Sequence, residues 1–306
     1  MTERIWLATD DGVVVVDPSG GILEQHFAGS KATAVDARDG VVAVRVEGVG
    51  VQRRSGSGGE WESLGFADAN VWTVRVADGG AVYAGLEPPT LWRLGDGPAV
   101  ELDLTGVEGH SFWHSPWGPA NVNCVIVDGD RLVVGVEVGG VAVSGDGGKS
   151  WDARNEGLYE DVHHVVADAA NLYATTGMGF HRSTDEGRTW TWENDGIDRG
   201  YSQGLALCGS RIVMASASGP PPIWEAGGPE AAIFVADTSA TPLDWRTATE
   251  AFKGNVERGA LQAGGSLVVA ATTAGELLVS TDGAETFEMV RDGLAPVTAA
   301  AVEIVS

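Results

Sequence analysis

The stretch Ser144-Gly145-Asp146-Gly147-Gly148-Lys149-Ser150-Trp151 decides how this chain is read. It returns as Ser183-Thr184-Asp185-Glu186-Gly187-Arg188-Thr189-Trp190, and in altered form as Ser280-Thr281-Asp282-Gly283-Ala284-Glu285-Thr286-Phe287. The pattern is Ser-x-Asp-x-Gly-x-x-Trp, with Ala284 and Phe287 as departures in the third copy. An aspartate in such a turn accepts hydrogen bonds from the turn's own N–H groups. The glycine permits a tight backbone, and the aromatic ring is expected to plug the gap between neighbouring strands. Ser144, Asp146, Gly148 and Trp151 are therefore expected to be structural. The same holds for Ser183, Asp185, Gly187 and Trp190, and for Ser280, Asp282 and Phe287.

The spacing points to a repeat architecture. Ser144 and Ser183 lie 39 residues apart, and Ser183 and Ser280 lie 97 apart. The first interval is one propeller blade, and the second fits two blades plus an insertion. Around each copy, apolar runs and turns recur in a four-strand order. Seven runs qualify as first strands: 33–37, 71–77, 122–127, 162–167, 204–208, 259–263 and 298–304. The last has nothing after it, so its natural partners are the runs at 4–9, 13–17 and 22–27. That closure removes the open sheet edges. The reading is all-β: one seven-bladed β-propeller over residues 1–306, with insertions at about 106–119 and 218–230.

The eight-residue motif resembles the Asp-box, or BNR repeat, of sialidases, sortilin-type receptors and photosystem assembly factors. The resemblance spans nearly the whole chain as a repeat and is specific for fold alone. It implies a geometry in which the approaches to the first strands share one face with the second-to-third turns, opposite the boxes. Sialidases use an arginine triad whose first member sits in Arg-Ile-Pro. Here the N-terminus carries Arg4-Ile5-Trp6, and Arg199 and Arg258 make no triad, so sialidase chemistry is not expected. The assembly factors carry a basic patch that this chain lacks.

Charge narrows the partners. The formal net charge is −24, from 43 acidic and 19 basic residues, only three of them lysines. Such a chain repels nucleic acid and anionic membranes. The composition suits a cytoplasmic protein of a salt-accumulating cell. No run has the charged and apolar regions of a secretion signal, and none reaches a membrane span. Cys124 and Cys208 fall on first strands and read as buried free thiols.

On the face opposite the boxes, Glu47, Glu87 and Glu137 align in three consecutive blades. The approaches to first strands add Trp72, Asn121 and Asn123, Asp161 and His163, Tyr201 and Gln203, and Glu257 and Arg258. One insertion brings His110, Trp113, His114 and Trp117. Of the pair His163-His164, parity with Asp161 and Val165 selects His163 as the channel residue. Three functions follow. A small-molecule site would use Trp72, His110, Trp113, Trp117, Asn123, Tyr201, Gln203 and Arg258. A divalent metal would take Glu87, Glu137, Asn121 and His163 as ligands, with Glu47 or His114 as general base or acid in a hydrolase or lyase. The alternative is a protein-docking scaffold without catalysis.

Overall fold

The structure is a computed structural model that describes residues 2–56, 58–115 and 118–305. Seven four-stranded antiparallel sheets surround one axis. Their innermost strands are Val297–Val305, Ala32–Arg38, Asn70–Val76, Asn121–Asp128, Val162–Asp168, Tyr201–Cys208 and Leu261–Gly264. We number blades 1 to 7 in that order. Each innermost strand packs against the next, and blade 7 returns to blade 1. The protein is a seven-bladed β-propeller, as the repeat predicts.

Blade 1 joins the two ends of the chain. Val297–Val305 pairs antiparallel with Thr2–Thr9, from Thr2 opposite Val305 to Thr9 opposite Val297. Gly12–Val16 and Ile22–His26 complete the sheet outward. The burial gradient explains the composition. Gly12–Val16 and Leu267–Ala271 are buried throughout, whereas Ile22–His26 at the rim is largely exposed. Strands packed on both faces need continuous Val, Leu and Ala, so simple alternation disappears.

The three Ser-x-Asp turns stitch themselves shut alike. Ser144 Oγ donates to Asp146 Oδ1 at 2.8 Å and accepts from the Gly148 N–H at 2.9 Å. Asp146 Oδ1 also accepts from the Lys149 and Ser150 N–H groups, and Oδ2 accepts from the Ser150 hydroxyl at 2.7 Å. Thr189 and Thr286 bond to Asp185 and Asp282 in the same way. The seventh position, a hydroxyl residue in all three copies, thus belongs to the motif as much as the first. These bonds hold the Asp146 and Asp185 carboxyls down at about 2.

The aromatic ring plugs a gap between blades rather than between strands. Trp190 of blade 5 packs with Val133 and Val141 of blade 4, and its Nε1 donates to the Arg154 carbonyl at 2.8 Å. Ala284 adopts φ 69°, the left-handed conformation that Gly148 and Gly187 hold at 86° and 81°. Ser183 is buried, and its hydroxyl donates to Asp185 Oδ1 while accepting from the Asp185 and Gly187 N–H groups. Ser183→Ala is expected to cost about 1–2 kcal/mol, because it strands the Gly187 N–H. Chemical denaturation at unchanged m-value measures it.

Candidate functional site: the axial cavity

The two ends of the barrel are distinguishable by hydrogen bonds. At one end the Ser-x-Asp turns bond to first-to-second turns, as in Gly147 N–H to the Asp130 carbonyl and Glu186 N–H to that of Ala170. At the other, second-to-third turns bond to approach segments, as in Glu47 N–H to the Lys31 carbonyl and Gly177 N–H to that of Asp161. The expected division of faces is present.

Six of the seven innermost strands carry a register shift near their start, and in blades 2 to 5 it is a single bulged residue at the same place. Register shifts between Ala32 and Ala34, Val71 and Thr73, Val122 and Cys124, and Val162 and His164. The bulged residues are Thr33, Trp72, Asn123 and His163. The residues just after them, Ala34, Thr73, Cys124 and His164, all line a cavity of about 290 Å³ on the axis. A second cavity of about 210 Å³ continues along the channel and shares Arg75, Val125, His164 and Gln262 with the first.

The bulge overturns one expectation. His164, not His163, faces the channel, because the extra residue breaks the alternation on which parity rests. His163 is 1% exposed and turns toward blade 6, its Nδ1 donating to the Ser202 carbonyl at 2.6 Å. Asn123 makes the corresponding tie from blade 4, with Nδ2 donating to the Val162 carbonyl at 2.6 Å. His164 Nδ1 donates to the Arg258 carbonyl at 2.5 Å, and burial pushes its pKa down to about 4. It is a neutral imidazole at pH 7.

Arg258 organises the mouth. Its Nη1 donates to Glu137 Oε2 at 2.8 Å, and its guanidinium carbon lies 5.0 Å from the centre of the Trp72 ring. Trp72 Nε1 donates to Glu87 Oε2 at 3.0 Å, and Asn121 Nδ2 to Glu137 Oε2 at 2.9 Å. Burial pushes the Glu137 carboxyl up, but the Arg258 charge and hydrogen bonds from Arg258 and Asn121 bring it below its usual value. Glu257 has no such compensation in full. Its burial outweighs Arg258 and Lys31 and raises its pKa.

The expected site residues therefore divide. Glu47, Trp72, Asn123 and Arg258 line the cavity. Glu87, Glu137 and Asn121 form the layer that holds Trp72 and Arg258. Tyr201 meets His163 with ring centres 4.7 Å apart, and burial pushes its hydroxyl up to about 12. Gln203 is buried beside it. In the insertion, the His110 and Trp113 rings meet at a tilt of 54° with centres 4.8 Å apart. Trp113 comes so near Gly139 that a methyl there would meet its Cδ1 at 3.1 Å. His114 is exposed, away from the cavity wall, and bonds to the Phe112 carbonyl. Trp117 lies outside the described residues. The second insertion includes a short helix, Pro221–Gly227, whose Trp224 meets Tyr201 edge-on at 5.9 Å.

The four residues expected to gather round a metal are engaged elsewhere: Glu87 by Trp72, Glu137 by Arg258 and Asn121, His163 by Ser202. Among the described residues no three His, Cys, Asp or Glu groups are placed to share a metal ion. Cys124 and Cys208 are buried and free, as expected. No helix among the described residues is long and apolar enough to cross a membrane.

The cavity also contains Arg45, Asp36, Arg75, His164 and Gln262, none of them in the expected set. A signal existed for three of these. Each is a charge inside an otherwise apolar strand: Val41-Val42-Ala43-Val44-Arg45-Val46, Ala34-Val35-Asp36-Ala37 and Thr73-Val74-Arg75-Val76. Asp36 spends its charge between blades, with Oδ2 accepting from the Val76 N–H at 2.7 Å.

No family model matches this chain, and no curated protein matches it by sequence. Solved structures do match in fold. A GH74 enzyme of Niastella koreensis superposes with a TM-score of 0.65 at 16% identity, over 85% of this chain and 45% of that one. The chain thus spans less than half of that enzyme. YCF48 from Cyanidioschyzon merolae matches at 0.60 and 16% identity, over 86% and 87% of the two chains. A YCF48 bound to a D1 peptide matches at 0.59 and 15%, over 94% and 85%. At such identities the likeness is one of fold.

Proposed function

We propose that this chain is an Asp-box propeller that binds a small molecule in the axial cavity, on the face away from the boxes. The observation that carries this is a concentration of unspent polar atoms around one cavity. Thr33 Oγ1, Arg45 Nε and Nη1, and Asn123 Oδ1 are buried, belong to residues lining the cavity, and have no hydrogen-bond partner among the described residues. Buried polar groups are ordinarily paired, so three such side chains around one space mark it as built for an occupant. Trp72 supplies an apolar wall, and Glu87, Glu137 and Arg258 hold that wall in place.

The test is ligand-observed NMR on a fragment mixture, comparing the wild type with Gln262→Trp. Gln262 borders both cavities, so the larger ring fills the channel. Hits on the wild type that disappear in the plugged variant are expected. Hits that persist in both, or none at all, would count against the axial site.

A second reading, docking of a protein partner, has its own observation. Met178 and Trp192 are 57% and 59% exposed, and Trp192 Nε1 donates to the Met178 carbonyl at 2.8 Å. Tyr159, 42% exposed, lies beside Gly177 in the same corner of blade 5. Peptide-array binding abolished by Trp192→Ala and untouched by Gln262→Trp would favour this reading.

A further inference from the structure

We infer that the ligand of the axial cavity is a small organic carboxylate, and that Arg45 is the residue that receives it. This rests on the small-molecule reading and specifies the ligand class.

Arg45 occupies a position that the fold treats differently in neighbouring blades. It pairs with Ala34 immediately after the blade 2 bulge. The same register position is Gly85 in blade 3, Gly135 in blade 4 and Thr175 in blade 5. There the next blade comes close. A methyl on Gly85 would lie 2.4 Å from the Val122 carbonyl oxygen, and Thr175 Oγ1 donates to the Gln203 carbonyl at 2.7 Å. A guanidinium in that position requires room between blades 2 and 3, and the cavity wall runs there through Asn70 to Thr73.

Arg45 is also the cation left uncommitted. Lys31 pairs with Asp10 at 2.8 Å, Arg75 with Asp36 at 3.3 Å and Arg258 with Glu137 at 2.8 Å. Arg45 makes no ion pair among the described residues. One Nη2 bond to the Ala69 carbonyl at 3.0 Å is its sole hydrogen bond there, and the residue is only 6% exposed. A buried guanidinium without a carboxylate is costly to fold around. Its free Nε and Nη1 lie on opposite edges of the guanidinium, and either one together with Nη2 forms an edge that takes a carboxylate in two parallel hydrogen bonds. Thr33, the bulged residue in the same register, adds its free hydroxyl.

The wider charge pattern agrees. The chain has 19 basic and 43 acidic residues, yet its cavity wall has four cations and three carboxylates. Glu47 and Glu257 stand in the same wall and repel a phosphate dianion more strongly than a carboxylate monoanion. The neighbouring Trp72 ring suits a flat ligand body.

The experiment compares benzoate, benzamide and benzylamine, which share a ring and differ in charge. Binding is read by thermal shift and tryptophan fluorescence at low salt and at 0.5 M NaCl. Benzoate is expected to bind at least tenfold more tightly than either analogue and to weaken in salt. Arg45→Met should lose at least tenfold in benzoate affinity while its unliganded Tm stays at or above that of the wild type. A merely structural arginine would lower Tm instead. Preference for benzamide or benzylamine would overturn the carboxylate inference and leave the small-molecule reading standing. Silence from all three on the wild type, together with no fragment lost in Gln262→Trp, would overturn both. The wild-type ranking decides even if the variant fails to fold.

Discussion

A chain ending at Pro296 is expected to lose cooperative folding altogether. Removing residues 297–306 takes away the innermost strand of blade 1, Val297–Val305. Val297, Ala299, Ala300 and Ala301 are all at most 6% exposed, and the strand pairs along the whole of Thr2–Thr9. Its loss uncovers the Thr2–Thr9 edge and opens the ring between blades 7 and 2, both of which pack on the missing strand. An uncovered edge of this length invites pairing between molecules. Circular dichroism melts should become broad and shallow, with aggregation in scattering. The control is a circular permutant that starts at Val297 and joins Ser306 to Met1 through two glycines. Thr2 and Val305 are paired neighbours, so a short hairpin suffices to connect them. The permutant should melt within a few degrees of the wild type. If the truncated chain melted as sharply as the whole one, closure by this strand would not be what holds the ring.

Acid is expected to unfold the protein in two steps with different chemical origins. Burial pushes His164 and His181 down to about 4, from an ordinary histidine value of 6.5. The unfolded chain therefore takes up these protons before the native one does. Their stabilisation is complete above about pH 6.5 and is lost as pH falls towards 4. A shift of this size corresponds to about 3 kcal/mol for each residue. Glu24 acts in the lower window, together with Asp146 and Asp185 of the Ser-x-Asp turns. Burial pushes the Glu24 carboxyl up, but hydrogen bonds from Arg54, Arg4 and His26 outweigh that and hold it at about 2. Its contribution is present above the ordinary glutamate value of 4.5 and disappears as pH falls to about 2. Arg54 is 4% exposed, lies over the Trp6 and Trp61 rings, and has Glu24 as its carboxylate partner. Glu24→Gln should cost about 2–3 kcal/mol at pH 7, from an under-compensated buried guanidinium. The measurement is Tm against pH for the wild type, His164→Gln and Glu24→Gln. His164→Gln should flatten the slope between pH 6.5 and 4 by about half, and Glu24→Gln the slope below 4.5. An unchanged upper slope in His164→Gln would remove that residue from the account.

The Ser-x-Asp turns were legible in the chain because every partner in them is local. A serine, an aspartate and a hydroxyl residue within seven positions close their own network, whatever surrounds them. Blade number and closure were legible for a related reason. Strand order repeats, and an unmatched last strand has one place to go. The alignment of Glu47, Glu87 and Glu137 also followed from the repeat.

The site was legible only in part. Trp72, Asn123, Glu47 and Arg258 were recognisable as polar or aromatic residues at the approaches to inner strands or at the turns. Which of two adjacent histidines faced the axis was not, because a bulge of one residue inverts the answer and no local pattern marks it. Nor could strand patterning assign partners. Glu137 and Arg258 are 121 residues apart, and only the ring brings blade 4 opposite blade 7. Arg45 is the sharpest case. The sequence by itself determined that a guanidinium stands inside an apolar strand. The tertiary structure decided that it lies between two blades beside a cavity, with no carboxylate at ion-pair distance among the described residues. That fact depends on distances across the ring, which no stretch of chain contains.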